Sequence, residues 1–180
     1  MECRPTTLLI SGSLRAASTN AALLRTAQEL LGGPAAAQVY DGLGSLPHFS
    51  PDDDVEPLPP PVVELRAAIG AATSLLFCTP EYAGDLPGSF KNLLDWTVGG
   101  IEINDTPTAW VNVSTSATGA AGAHAALRTV LTYTGAAIVD AACVHLPVPR
   151  EAIGPDGTIH DEVIRGRLRA ALDTLVDAPA

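Results

Sequence analysis

The chain has 180 residues, 47% of them apolar and 17% charged, which suits one folded domain with its own core and excludes intrinsic disorder. Ten basic residues against twenty acidic ones leave a net charge of −10. With no lysine/arginine run and only 4% aromatics, nucleic acid and anionic membrane surfaces are excluded as partners. No apolar run reaches the ~18 residues of a membrane span, and MECRPTTLLIS lacks the order of a signal peptide. Three scattered cysteines, Cys3, Cys78 and Cys143, make neither a disulfide framework nor a zinc site, so a reduced, cytoplasmic protein without metal is expected.

Taken in chain order, apolar runs alternate with helical periodicity. Thr6 to Ile10 reads as a buried first strand ending in SGS. Leu23, Ala27, Leu30 and Leu31 mark one face of a first helix from Asn20, stopped by Gly32 and Gly33. Gln38 to Tyr40 is a second strand. Residues 44–61 are too proline-rich for a helix or a central strand and either carry function or wrap the surface. Its acidic run, Asp52 to Asp54, reads as a solvated loop. Val62, Leu65, Ile69 and Ala72 predict a second helix, and SLLFCT (74–79) a third strand, apolar throughout as strands covered on both faces are.

A loop, PEYAGDLPG, precedes a third helix with Phe90, Leu93, Leu94 and Thr97 on one face. Ala109 to Ser114 is a fourth strand, Leu127, Val130 and Leu131 mark a fourth helix, and Ala136 to Val144 is a fifth strand. Asp156 and Gly157 form a turn before a last helix carrying Ile164, Leu168, Leu172 and Leu175. Such alternation predicts a parallel sheet with helices on both faces, and right-handed crossovers favour the doubly wound strand order 2-1-3-4-5. The whole chain, residues 1–180, is read as a single domain.

In these sheets ligands bind outside the carboxyl ends of the strands, where the strand order reverses. That selects the loops after strands one, three and four. The first, GSLRAASTN (12–20), combines hydroxyls and an amide (Ser13, Ser18, Asn20) with Arg15 and leads into a helix N-terminus, a ready site for a phosphate. It matches neither a dinucleotide fingerprint nor a triphosphate loop, and its hydroxyl-rich composition suits a monophosphate. Ser18 has a second reading as a helix cap. In the second loop Gly84 and Gly88 allow close backbone approach, Tyr82 offers an aromatic wall, and Glu81 is either a functional carboxylate or a structural acid. Lys91 and Asp95, four apart, read as a surface ion pair. Trp96 reads as core or interface.

The third loop, STSATGAAGAH (114–124), offers Ser114, Thr115 and Ser116. His124, at a helix start, reads as solvated rather than catalytic. The other histidines show no ligand spacing, Cys78 reads as an inert buried thiol, and Asn112-Val-Ser matches a glycosylation sequon by chance. No nucleophile elbow and no carboxylate pair stands out, so no catalytic side chain is assigned.

GSLRAASTN followed by PEYAGDLPGSFKNLLDW after strand three resembles the NADPH-dependent FMN reductase family, flavodoxin-like flavoenzymes that include quinone, azo and chromate reductases. The resemblance spans roughly residues 6–175. It implies a flavodoxin-like three-layer sandwich and FMN as cofactor, with NADPH or NADH as co-substrate. It places the FMN phosphate at Ser13, Arg15, Ser18 and Asn20, and the isoalloxazine ring along Pro80, Glu81, Tyr82 and Ala83, mostly through backbone. Ser114, Thr115 and Ser116 would meet the flavin edge. Many relatives have Asn where this chain has Ala83, so a side-chain amide contact is missing there. The resemblance further implies hydride transfer from the nicotinamide through FMN to a flavin, quinone or other small acceptor by ping-pong kinetics. It also implies a homodimer or homotetramer in which Lys91, Asp95 and Trp96 face a partner. The alternative is a flavodoxin-like electron carrier, or an FMN-binding sensor or partner protein, without NAD(P)H turnover of its own. No ribose-reading motif separates NADPH from NADH.

Overall fold

Two helical layers sandwich a parallel sheet in a computed structural model that describes residues 6–179; Cys3 lies outside the described residues. The sheet runs β2(Ala37–Tyr40)–β1(Thr7–Ser11)–β3(Ser74–Cys78)–β4(Pro107–Asn112)–β5(Ala137–Ile138), and β6(Val144–His145) also pairs with β4. Every pairing within it is parallel. The order is the doubly wound 2-1-3-4-5 arrangement that the alternation of elements predicts.

The two-residue period of the strands sorts their side chains between two cores. Leu8, Ile10, Leu75, Phe77 and Trp110 turn to one face, against α2(Pro60–Ala71), α3(Gly88–Asp95) and α4(Ala121–Tyr133). Leu9, Leu76, Cys78, Ala109 and Val111 turn to the other, against α1(Thr19–Leu30) and α5(Glu162–Val176). At about 1.5–3 kcal/mol for each large side chain fully buried, these faces fix the sheet between its helices and so fix where the strand ends lie.

The expected fifth strand, Ala136 to Val144, is broken. Only Ala137–Ile138 and Val144–His145 pair, and a 3-10 turn at Asp140–Ala142 separates them. Asp and Ala are poor strand formers, and the turn sinks Ala142, 0% exposed, into the α1/α5 core. The fourth strand also ends earlier than expected. Asn112 Oδ1 accepts the Ser114 N–H at 2.9 Å, and this local turn takes Val113 and Ser114 off the ladder.

The proline-rich segment wraps the surface and is anchored to it. Pro47 carbonyl accepts from Asn92 Nδ2 at 2.8 Å and Trp96 Nε1 at 2.9 Å. Phe49 meets Trp96 edge-on at 5.0 Å. Asp54 pairs with Arg66 at 2.7 Å, both side chains largely buried, and Arg66 Nε donates to the Trp96 carbonyl at 3.1 Å. Asp54 is therefore not the solvated residue the acidic run suggested. Trp96 is 0% exposed, so it is core and presents no face to a partner. Lys91 and Asp95 do form the expected i,i+4 ion pair.

Candidate functional site

Three chain segments leave the carboxyl ends of β1, β3 and β4 side by side. They meet closely because small residues stand at the crossings. A Cβ on Gly12 would lie 2.1 Å from Thr79 Oγ1, and one on Gly122 would lie 2.2 Å from the Gly84 carbonyl oxygen. Between them lies a cavity of about 400 Å³, walled by Thr19 and Asn20, by Thr79 to Glu81, and by Asn112 to Thr115. A second cavity of about 150 Å³ continues round the N-terminus of α1, lined by Ser13, Arg15, Ser18, Tyr82 and Arg150 and sharing Thr19, Asn20 and Pro80 with the first.

The first loop is folded by its own hydroxyls. Ser13 Oγ accepts the Arg15 N–H at 3.2 Å. Ser18 caps α1, its Oγ accepting the Ala21 N–H at 3.1 Å. Among the described residues the Thr19 and Asn20 N–H groups have no acceptor, as the first turn of a helix leaves them. Asn20 is 6% exposed. Its Oδ1 accepts from the Cys78 thiol at 3.2 Å, and burial pushes that thiol far above the usual range, so Cys78 stays a donor. A carbonyl oxygen taken by Cys78 leaves the Asn20 NH₂, which has no partner among the described residues, toward the cavities. This buried amide and the free N–H groups are donors in want of an acceptor.

In the second loop the Glu81 carboxylate has a structural role. Its Oε2 accepts the Ala123 N–H at 3.1 Å. Helix α4 begins at an Ala120 cap with left-handed backbone and no side-chain acceptor, so Glu81 caps it from another segment. Tyr82 and Asp85 exchange backbone hydrogen bonds at 2.9 and 3.1 Å around Ala83 (φ 53°) and Gly84 (φ 82°). Positive φ at both central residues is the tight hairpin geometry that Asn and Gly favour. Ala83 stands out on this turn without lining either cavity. Tyr82 is 51% exposed and flanks the smaller cavity.

The third loop is held by Asn112, which bonds Ser114 N–H and, through Nδ2, the Gly119 carbonyl at 2.9 Å. His145 Nε2 lies 2.7 Å from the Ser114 carbonyl. Ser114 and Thr115 line the larger cavity; Ser116 lines neither. His124 departs from expectation. It is 8% exposed, not solvated. Its Nδ1 lies 2.6 Å from the Ala120 carbonyl, its ring packs against Trp110 at 6.3 Å, and burial pulls its pKa down.

The chain's fit to known proteins follows this geometry. The family model for NADPH-dependent FMN reductase matches residues 5–148, a span that contains all three loops. The chain belongs to the NADPH-dependent FMN reductase family. It is 30% identical over 168 residues to an NAD(P)H-dependent FMN reductase of Pseudomonas aeruginosa, covering 92% of this chain and 90% of that one. A quinone reductase of Pseudomonas putida is 30% identical over 174 residues, 94% of this chain and 89% of its own. Among solved structures, the flavoenzyme NAD(P)H:(acceptor) oxidoreductase FerB of Paracoccus denitrificans superposes with a TM-score of 0.78 at 30% identity, over 96% of both chains.

A reductase of this family borrows its redox chemistry from a cofactor that its residues bind and orient. Sequence reasoning missed Asn112, Val148 and Arg150, which the fold brings to the cavities. Asn112 ends β4, two residues before the Ser114 at which the sequence pattern closes that strand. Arg150 gave no local signal, because it reaches the site from beyond β6, outside the three loops. Among the described residues no cluster of His, Cys, Asp or Glu could hold a metal, and no helix is long and apolar enough to cross a membrane.

Proposed function

We propose that this reductase holds FMN across the two joined cavities and passes reducing equivalents from NADPH or NADH to a small acceptor such as a quinone or free flavin. The observation that carries the reading is the set of unclaimed donors at the start of α1: the Thr19 and Asn20 N–H groups and the Asn20 amide, beside Arg15. A phosphate suits that set. A charge-assisted bond contributes roughly 1.5–3 kcal/mol, enough for local donors to outweigh the repulsion of a chain whose net charge is −10.

Arg15, the Ser13 hydroxyl and the helix N-terminus would hold the phosphate. Pro80, Tyr82 and the Ser114–Thr115 segment would border the ring. The Ser18 hydroxyl and the Glu81 carboxylate are spent on helix caps, so these two cavity residues would meet the cofactor through backbone, and Ala83 and Ser116 act through the turns they form. When bound, FMN supplies hydride chemistry in two half-reactions, first with the nicotinamide and then with the acceptor. The residues bind, orient and supply backbone donors, which is why none is assigned as catalytic.

The chain is read as one FMN-binding domain, residues 1–180. Exposed Val63, Val98 and Ile101 support a homodimer, and the free thiols of Cys78 and Cys143 suit the cytoplasm. The deciding experiment is an anaerobic visible spectrum of the purified protein. Flavin bands that bleach on adding NADPH or NADH are expected. A protein that neither carries nor binds FMN would overturn the cofactor assignment, and bound flavin that bleaches with neither nucleotide would favour an electron carrier or sensor.

A further inference from the structure

A third cavity, of about 460 Å³, adjoins the phosphate loop on its far side. It shares Ala17, Ser18 and Arg150 with the smaller cavity of the site, so the three spaces run in series round the N-terminus of α1. Its charged walls are Arg25, Arg150 and Asp156, and Ala22, Ile153 and Pro155 give it an apolar side.

The charges are unevenly committed. Asp156 is turned outward to His160 Nε2 at 2.9 Å and to the Thr158 N–H at 3.1 Å. Neither arginine has a carboxylate partner among the described residues, whereas Arg66, Arg128, Arg165 and Arg169 each have one. Arg25 spends one donor on the Ala16 carbonyl at 2.9 Å, and its buried Nε has no acceptor among the described residues. An acidic chain that leaves two guanidiniums without a carboxylate on one cavity wall, among the described residues, presents a site for an anion. Planar guanidiniums suit phosphate in particular, and the apolar side suits a ring attached to it.

We infer that this cavity binds the phosphorylated adenosine end of the nicotinamide cofactor, with Arg25 and Arg150 reading the 2′-phosphate that distinguishes NADPH from NADH. The inference rests on the nicotinamide-dependent reading above. It sets Arg25 apart from the FMN residues, because Arg25 lines this cavity alone.

The test is calorimetric titration of the full-length protein with 2′,5′-ADP, 5′-AMP and inorganic phosphate, for the natural chain and for Arg25→Gln and Pro155→Glu. Pro155→Glu places a carboxylate on the cavity wall without touching the Arg25–Ala16 bond. The expected result is binding of 2′,5′-ADP at least tenfold tighter than either of the other probes, weakened about tenfold or more by each substitution. In turnover, kcat/KM for NADPH should fall by a similar factor while that for NADH holds. Equal binding of the two adenylates, phosphate binding as tightly as 2′,5′-ADP, or indifference to both substitutions would overturn the assignment. FMN affinity, read separately from flavin fluorescence, reports the cofactor reading: 2′,5′-ADP binding without FMN binding would sink that reading and leave this one standing.

Discussion

The Cys78 thiol donates to Asn20 Oδ1 at 3.2 Å, joining the last residue of β3 to the first turn of α1 inside the core. A thiol that burial keeps protonated settles which end of the amide faces the cavities. Cys78→Ala should weaken FMN binding severalfold, since a hydrogen bond of this kind contributes about 0.5–1.5 kcal/mol. Cys78→Ser, which keeps a donor, should stay near the natural affinity. Fluorescence titration with FMN separates the two, and equal affinities for Ala and Ser would remove the positioning role.

Glu81 caps α4 from outside it. Loss of a cap costs about 1 kcal/mol, so Glu81→Ala should lower the thermal midpoint by roughly 2–4 °C for a chain of this size. Glu81→Gln keeps an acceptor and should recover most of that. A melting curve unchanged by Glu81→Ala would show that the Ala123 N–H finds another partner.

Two glycines give opposite expectations. Gly122 packs against the Gly84 carbonyl, with no room for a methyl group. Gly122→Ala should destabilise by about 1–3 kcal/mol. Gly166, inside α5, has nothing within 4 Å of where a Cβ would stand. Gly166→Ala should stabilise by about 0.5–1 kcal/mol through helix propensity. Urea unfolding of the pair checks both signs.

Ala83 carries φ 53°, a conformation that costs a residue with a Cβ about 1 kcal/mol. Ala83→Gly and Ala83→Asn should both stabilise the 82–85 turn by up to about that amount. Chemical denaturation reads the gain, and a loss of stability in both variants would mean that Ala83 makes contacts the turn geometry does not reveal.

His124 should make stability depend on acid. Burial pulls its pKa below 6.5; the Ala120 carbonyl and Glu81 oppose that and His145 adds to it. The unfolded chain therefore takes up a proton that the folded chain resists, and this contribution, full above about pH 6.5, is lost as the pH falls through the folded value. His124→Gln should flatten the acid side of the pH–stability curve. An unchanged slope would assign it to other groups.

Much of this was legible in the sequence. β1 and β3 announced themselves because Leu8 to Ile10 and Leu75 to Phe77 are covered on both faces, which makes a short unbroken apolar run. The three loops were legible because parallel sheets bind ligands at one end. What escaped was set by partners distant in sequence. Glu81 has its role only because Ala123 N–H arrives 42 residues later. His124 is buried because Trp110 and Ala120 close over it. Asp54 lost its solvated character to Arg66, and Arg150 meets Arg15 at one cavity only once the chain is folded.

That split has a consequence for the molecule in a crowded solution. An exposed sheet edge invites another chain to add a strand, and long flat edges are the hazard. Here β2 offers four residues on one side, while β5 and β6 offer two each, interrupted by the 3-10 turn, on the other. An intruding strand would find no run long enough to hold its register. The interruption that the sequence pattern of the fifth strand did not reveal thus protects the sheet against edge-to-edge aggregation.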